Sequence, residues 1–346
     1  ISIPVSVGGQ DVGDMVFQLF EGRATRATDR FIELANEDFH QDVIFHRVID
    51  GFMIQGGDPT GTGSGGSDKG DFDDQFHVDL QHNRTGVLSM AKAGDDTNDS
   101  QFFVIEEPTR FLDFNHSVFG QLIEGERVRQ TISNVETGGA GEGSTPQDTV
   151  VMSAVSVFED QENSLVMLRG LGTSGSTTVT VTATDPAGNS TSETFNVTLA
   201  SDTSNSEPFL NDIGDLTFEA GANDQFQVEF QDVEGDSALF FAELIGSDDD
   251  DGLGDDQVSI SDSGVLTASG WVGTRQVQLR VASGPIVSVQ SPFDQQVVNL
   301  TLFPTAPTAI DLLAATDSGV SDTDNITNVT ELQFEVSGVK DGDTVI

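Results

Sequence analysis

Three separated segments of the chain carry the residue types that could do chemistry. Residues 45–58 read FHRVIDGFMIQGGD, residues 86–104 read GVLSMAKAGDDTNDSQFFV and residues 111–120 read FLDFNHSVFG. Together they supply a cationic hydrogen-bond donor beside apolar side chains, a combination that can act on a substrate without any covalent step. Cysteine is absent, which excludes thiolate nucleophiles and zinc sites built from thiolates.

Each fragment taken alone has a simpler interpretation. Phe-Phe and Phe-Met pairs are usually core residues, and an isolated histidine is usually structural, so only the joint spacing of the three segments indicates a site. Gly61, Gly63 and Gly66 match the dinucleotide fingerprint as a bare pattern. They follow Asp58-Pro59 and lead into no helix that could receive a phosphate, so nucleotide binding is disfavoured.

In order and spacing, the three segments resemble the cyclophilins, a family of peptidyl-prolyl cis-trans isomerases, over about residues 10–160. The resemblance implies a closed eight-stranded β-barrel with two helices, an enzyme that acts on X–Pro bonds, and no cofactor for catalysis. It implies that the catalytic residues are Arg47, Phe52, Met53, Gln55, Phe103, Phe111, Leu112 and His116. It also implies a groove for the residues before the proline, formed by Ala91, Lys92, Ala93 and Gln101.

The chemistry implied by this resemblance is rotation of an amide. Resonance gives the X–Pro bond a barrier of ~18–20 kcal/mol. A donor aimed at the imide nitrogen favours the twisted state over the planar one. A hydrogen bond from a charged group contributes roughly 1.5–3 kcal/mol, so the Arg47 guanidinium can supply a large share of the rate enhancement.

Two positions depart from the family pattern. Phe111 stands where many members have tryptophan, which removes an indole N–H and implies weaker binding of cyclosporin. Lys92 stands where asparagine is common, so the peptide preference of the groove is open.

The elements that must position these residues read as mixed α and β. Met15 to Phe20 predicts a strand, and Ala27, Phe31, Leu34 and Ala35 have the spacing of a helix over 24–35. A second helix is predicted from Glu126 through Ile132, and a closing strand over 150–158. Residues 1–160 therefore form one predicted domain.

After residue 160 the sequence is rich in Thr, Ser, Asp and Gly with alternating valines, which is typical of antiparallel β-sandwiches. It resembles bacterial cadherin-like and immunoglobulin-like repeats. We interpret residues 161–204 as partial sandwich strands, 205–304 as a cadherin-like sandwich and 305–346 as the start of a further immunoglobulin-like repeat. Because 161–204 supply too few strands for a sandwich, we hypothesise that the first domain is inserted between two halves of one.

Acidic turns in this second half could bind calcium. Asp232, Glu234 and Asp236 surround a glycine turn, and closely spaced carboxylates suit a hard cation. The alternative is a solvated turn, since Asp and Gly are common turn formers. The run from Asp248 to Asp251 is a further, more ambiguous candidate.

Charge narrows the class of partner. Asp and Glu number 58 against 14 Lys and Arg, a net charge of −44. This disfavours nucleic acid and anionic membrane surfaces as partners, and no apolar run is long enough to insert into a membrane. We expect an isomerase module that binds proline-containing segments within a large extracellular or cell-surface bacterial protein. The alternative is an adhesive or structural protein whose cyclophilin fold only binds peptides.

Overall fold

The computed structural model describes residues 1–138, 144–160, 165–170, 172, 174–220, 223–246, 257–283, 293–303, 309–312 and 334–337. The chain divides into two compact units, Ile1–Ser206 and Glu207–Ile346. The described residues are mainly β, with two α-helices. None of the described helices is both long and apolar enough to cross a bilayer.

The first unit contains an eight-stranded sheet. Its strands are Ser2–Val7 (β1), Gln10–Leu19 (β2), Arg47–Ile49 (β3), Met53–Gly56 (β4), Val87–Met90 (β5), Phe102–Ile105 (β6), Val118–Glu124 (β7) and Val150–Met152 (β8). They are ordered β3-β4-β6-β5-β7-β2-β1-β8 across the sheet, and all neighbours are antiparallel. Residues such as Ile54, Phe102 and Val104 are fully buried in one core.

Two helices accompany the sheet: Thr25–Asn36 (α1) and Glu126–Ser133 (α2). The apolar residues whose spacing predicted the first helix are all buried in α1. Leu34 is 1 % exposed, for example, because residues three and four apart share one face of a helix. A short 3-10 helix, Arg110–Leu112, lies between β6 and β7.

The prediction of a closed barrel is wrong, because the eight strands do not form a continuous ring of hydrogen-bonded neighbours. The sheet is open, with β3 and β8 at its two ends. Residues 43–45 bridge part of the gap, since the Phe45 N–H donates to Val150 O (2.9 Å) and the Met152 N–H donates to Val43 O (2.8 Å). After Phe45 the chain no longer forms hydrogen bonds with β8, and from Arg47 onward it pairs with β4. No ladder between β3 and β8 therefore forms among the described residues.

The predicted closing strand is shorter than its alternating pattern indicated. β8 ends at Met152, and Ser156 bonds to Ser2 in a single bridge displaced by one residue from the β1–β8 register. Such a shift is a β-bulge, which one-dimensional alternation does not reveal.

Beyond β8, the described residues of the first unit contain one isolated hairpin, Gly175–Thr184 (β9) with Ser190–Leu199 (β10). Hydroxyl and amide side chains pair across one face, as in Thr180 with Thr194 (2.9 Å). The segment also reaches the isomerase-like part, because Arg110 Nη1 donates to Asp202 Oδ2 (2.8 Å). The sandwich strands and the insertion proposed for this region stay predictions.

The second unit is built from strands. They are Phe209–Leu210 (β11), Leu216–Glu219 (β12), Phe226–Gln227 (β13), Phe230–Gln231 (β14), Leu239–Ile245 (β15), Gln257–Ile260 (β16), Val265–Ser269 (β17), Gly273–Ala282 (β18), Asp294–Phe303 (β19), Ala309–Leu312 (β20) and Phe334–Ser337 (β21). One sheet is ordered β12-β19-β18-β15 and another β13-β17-β16, with β11–β14 and β20–β21 as separate pairs. The β12–β19 pair is parallel, which differs from the predicted all-antiparallel arrangement.

Both larger sheets of this unit contribute to a single apolar core. Leu266 comes from the three-stranded sheet, and Leu279 and Leu300 come from the four-stranded sheet. The core also holds Trp271, whose indole N–H donates to Gly273 O (3.1 Å). The assignment of this unit to cadherin-like or immunoglobulin-like repeats stays a prediction, and most of 305–346 lies outside the described residues.

Candidate active site

Strand register brings three of the predicted site residues into one row. Arg47 in β3 pairs with Gln55 in β4, and Gln55 pairs with Phe103 in β6. Directly paired residues lie on the same face of a sheet, so a cation, an amide and an aromatic ring follow one another across three strands. Met53 lies two residues before Gln55 and therefore lies on the same face.

Apolar side chains lie along this row and make up the surface that we call the pocket. Met53, Phe103 and Leu112 are buried, with 2 %, 5 % and 8 % of their surface exposed. Phe52 stacks on Phe111, with ring centroids 5.9 Å apart and an angle of 29°. Phe111 itself is 73 % exposed, as expected for a side chain at the rim of a pocket that a ligand would cover.

His116 lies against the side of this pocket. Its ring packs edge-on against Phe103, with centroids 5.5 Å apart at 85°, and its Nδ1 lies 3.0 Å from Met90 O. A carbonyl only accepts hydrogen bonds, so Nδ1 carries the proton. Burial lowers the pKa of His116 to about 4, so the imidazole is uncharged at neutral pH.

A relay of hydrogen bonds orients the arginine. Arg47 Nη1 donates to Gln55 Oε1 (3.1 Å), and Gln55 Nε2 donates to Gln101 Oε1 (3.0 Å). Gln101 Nε2 in turn donates to the carbonyls of Gly63 (3.1 Å) and Gly65 (2.8 Å). Within the described part of the chain, Gln55 is the only acceptor that binds Arg47, which leaves the other guanidinium N–H groups available to a substrate.

A groove with a volume of about 540 Å³ continues from Gln55 and Gln101. It is lined by Ala91, Lys92 and Ala93 and by the glycine-rich loop over residues 63–70. Ala91 N donates to Gln101 O (2.9 Å), so the two sides of the groove are joined by a backbone hydrogen bond. The structure therefore brings the predicted groove residues together beside the arginine.

Asp58 organises the glycine-rich loop. Its carboxylate accepts hydrogen bonds from the N–H groups of Thr60, Thr62, Gly63 and Gly65. Burial alone would raise the pKa of Asp58, but the hydrogen bonds from Thr60 and from the backbone outweigh it, and the pKa is lowered. A Cβ atom at Gly65 would lie 2.1 Å from Asp58 Oδ1, so only glycine fits there.

Lys92 does not present its charge to the groove. Its side chain is 4 % exposed and its ammonium binds the carboxylates of Asp74 and Asp95 (3.3 Å for the latter). Burial alone would lower the pKa of Lys92, but the two carboxylates outweigh burial and raise it. Any effect of Lys92 on peptide preference is therefore expected to come from its backbone and the aliphatic part of its side chain, and not from its charge.

The acidic residues proposed for calcium form an ordinary turn. Asp232 Oδ1 accepts the backbone N–H groups of Gly235 (2.6 Å) and Asp236 (2.9 Å). The structure does not bring the carboxylate oxygens of Asp232, Glu234 and Asp236 close enough together to share a metal ion. Among the described residues, only Asp74, Asp95 and Asp96, as a group of three, place their oxygens within 4.8 Å of one another. Calcium binding stays a prediction. Residues 248–251 lie outside the described residues.

Sequence reasoning missed several residues that support the site. The sequence alone assigned no role to Asp58, Asp113 or His82. The structure places Asp113 Oδ1 3.2 Å from Nδ1 of His82, whose ring is parallel to that of Phe103. The only sequence signal is their position, since Asp58 precedes the glycine-rich loop and Asp113 directly follows Leu112.

Comparison with known proteins identifies a family that matches the first part of the chain. Residues 4–157 match the family described as cyclophilin type peptidyl-prolyl cis-trans isomerase/CLD. Peptidyl-prolyl cis-trans isomerase ppi1 of Schizosaccharomyces pombe is 46 % identical over 128 residues, which cover 36 % of this chain and 83 % of that protein. Peptidyl-prolyl cis-trans isomerase-like 1 of Aspergillus oryzae is 42 % identical over 153 residues, which cover 44 % of this chain and 93 % of that protein.

A third relative is larger. Peptidylprolyl isomerase domain and WD repeat-containing protein 1 of Mus musculus is 46 % identical over 127 residues, which cover 36 % of this chain and 20 % of that protein. The family match over residues 4–157 covers the part of the chain that holds the pocket and the groove. This chain belongs to the family of cyclophilin-type peptidyl-prolyl cis-trans isomerases and is an enzyme of that class.

Proposed function

We propose that the first unit isomerises X–Pro bonds by fixing the proline ring in the pocket while Arg47 donates a hydrogen bond to the imide nitrogen. The observation that carries this proposal is the row of Arg47, Gln55 and Phe103 across β3, β4 and β6. In the planar amide the nitrogen lone pair is delocalised into the carbonyl. Twisting the bond localises the lone pair, so the nitrogen becomes an acceptor only in the transition state.

Gln55 supports this role of the guanidinium. An arginine side chain that is free to rotate loses conformational entropy when it is ordered by a substrate, and one that is already bonded loses less. The Gln55–Gln101 relay connects the arginine to the glycine-rich loop. A peptide lying in the groove therefore contacts the same network that orients the catalytic donor.

The substrate that fits this arrangement is an extended segment with a proline. The pocket accepts the ring, and the groove beside Ala91 and Gln101 accepts the residues before it. Isomerisation of a short Ala-Pro peptide by the full chain, followed by NMR exchange spectroscopy, tests the activity. Binding of the peptide without acceleration of exchange would instead support the alternative, a peptide-binding module of an adhesive protein.

We further propose that this enzyme works within a secreted or surface-associated multidomain protein. The support is the β-rich second unit with its own core and the charge of −44, which favours solvation and cations. We propose cadherin-like or immunoglobulin-like repeats stiffened by calcium. Calorimetry of the full chain in calcium and in chelator tests the last point, and identical transition temperatures would exclude occupied sites.

A further inference from the structure

The Phe103 ring of the pocket contacts two imidazoles. His82 is parallel to it, with centroids 5.9 Å apart at 11°, and His116 meets it edge-on. A phenyl ring has no hydrogen bonds of its own, so its position depends on the rings packed against it. His116 belongs to the site already described, whereas His82 lies behind Phe103.

His82 is held on every polar atom that the structure describes for its ring. Its side chain is fully buried. Nδ1 lies 3.2 Å from Asp113 Oδ1, and Nε2 lies 3.0 Å from Ser89 Oγ. The same Asp113 oxygen accepts the His82 backbone N–H (2.6 Å). Because a carboxylate oxygen accepts, the proton is on Nδ1, and Nε2 accepts from the serine hydroxyl.

The other oxygen of Asp113 binds the short helix that carries Phe111 and Leu112. Oδ2 accepts from Arg110 Nε, and Arg110 begins the 3-10 helix that carries Phe111 and Leu112. One buried carboxylate thus joins the helix that forms the wall to the imidazole that supports Phe103. We propose that Asp113 is a positioning residue, which acts through His82 and Arg110 to set the width of the proline pocket.

This role predicts a specific kinetic signature. The pocket contacts the proline ring in both the planar and the twisted state, so a loosened pocket weakens both states alike and raises KM while kcat is kept. Asp113→Asn perturbs the link with little change in shape. One of its terminal atoms becomes a donor, so the side chain no longer accepts from both His82 and Arg110.

The test uses the full chain and a short proline peptide. For Asp113→Asn we expect KM to rise about tenfold with kcat within about twofold of wild type. Glu126→Gln, which removes one of the two carboxylate partners of Arg129 on α2, is the carboxyl-to-amide control and should leave both constants unchanged. An unchanged KM in Asp113→Asn would overturn the inference.

Two further measurements keep the inference falsifiable if Asp113→Asn does not fold. Nitrogen-15 NMR of wild type should show His82 protonated on Nδ1, and the other tautomer would contradict the proposed link. His82→Phe keeps a ring behind Phe103 but removes its anchor, and should raise KM in the same way. Where Asp113→Asn does fold, the double variant should give no larger KM than the more affected single variant, whereas additive effects would show that Asp113 does not act through His82.

The inference rests on the proline pocket proposed above, and the two can fail separately. Arg47→Ala measured alongside tests the hydrogen-bond donor of the proposed mechanism, because it leaves the apolar side chains in place. If kcat is unchanged in Arg47→Ala while KM rises in Asp113→Asn, the donor role fails and the positioning role stands. If kcat is lost in Arg47→Ala while KM is unchanged in Asp113→Asn, only the positioning role is refuted.

Discussion

Removal of the Arg47 guanidinium is the perturbation that bears most directly on the mechanism. Arg47→Ala deletes the donor to the imide nitrogen and leaves the apolar pocket of Met53, Phe103 and Leu112 in place. A hydrogen bond from a charged donor contributes about 1.5–3 kcal/mol, and each ~1.4 kcal/mol changes a rate tenfold. Because this bond forms only as the amide twists, kcat should fall by about 10–150-fold while KM changes little.

Exchange spectroscopy on an Ala-Pro peptide with the full chain measures the rate without a coupled protease. Arg47→Lys should retain part of the activity, because it keeps the charge but lacks the planar fork that binds Gln55. Arg127→Ala removes an exposed arginine of α2 and controls for the change in net charge. Rates in Arg47→Ala equal to those in Arg127→Ala would refute the proposed role of the guanidinium.

Three further predictions concern Gln101 in the groove, Phe111 at the edge of the pocket and the acidic residue Asp96. Gln101→Leu removes the two hydrogen bonds to the glycine-rich loop. It should raise KM about tenfold for peptides that have residues before the X–Pro bond. An equal rise in KM for a bare dipeptide would contradict this prediction. Phe111→Trp restores an indole N–H at the exposed rim and should increase cyclosporin affinity by about two- to tenfold in an inhibition titration, so an unchanged affinity would remove Phe111 from the binding surface. Burial raises the pKa of Asp96 from its ordinary value of 3.8 to about 6. Between these pH values the folded state binds more protons than the unfolded state, so stability falls as the pH rises through this window. Asp96→Asn should flatten this pH dependence. Because solvent screens the partly exposed group, the substitution should stabilise the protein at pH 7 by only about 1–2 kcal/mol. Hydrogen exchange of β5 and β6 between pH 4 and 7 measures the stability, and an unaltered slope of stability against pH would contradict the role given to Asp96.

Local pattern predicted the parts of the fold that depend on local contacts. The helix expected over 24–35 is observed as Thr25–Asn36, and the one expected from Glu126 through Ile132 is observed as Glu126–Ser133. Periodicity suffices there because each helix buries one stripe of side chains. Closure of the barrel depends instead on where distant strands stop pairing. The alternation of apolar and polar residues does not show that the chain changes its partner strand between Phe45 and Arg47.

The candidate site shows the same division. The three sequence segments supplied the pocket and groove residues, since their spacing reflects strands that lie side by side. The direction of the Lys92 side chain depends on Asp74, which is 18 residues away in the chain, so its burial could not be read from its own segment. The supporting role of Asp113 was hidden for a similar reason, because His82 lies 31 residues before it.

The aromatic composition makes the two units separately observable. Trp271 is the single tryptophan and the chain has no tyrosine, so indole fluorescence arises only from the core of the second unit, where Trp271 is 4 % exposed. Loss of that signal during denaturation reports the second unit alone, while the isomerase unit is spectroscopically silent at the same wavelength. An indole introduced at residue 111 would therefore be the only fluorophore of the isomerase unit, and quenching or a spectral shift on peptide addition would report occupancy of the pocket directly.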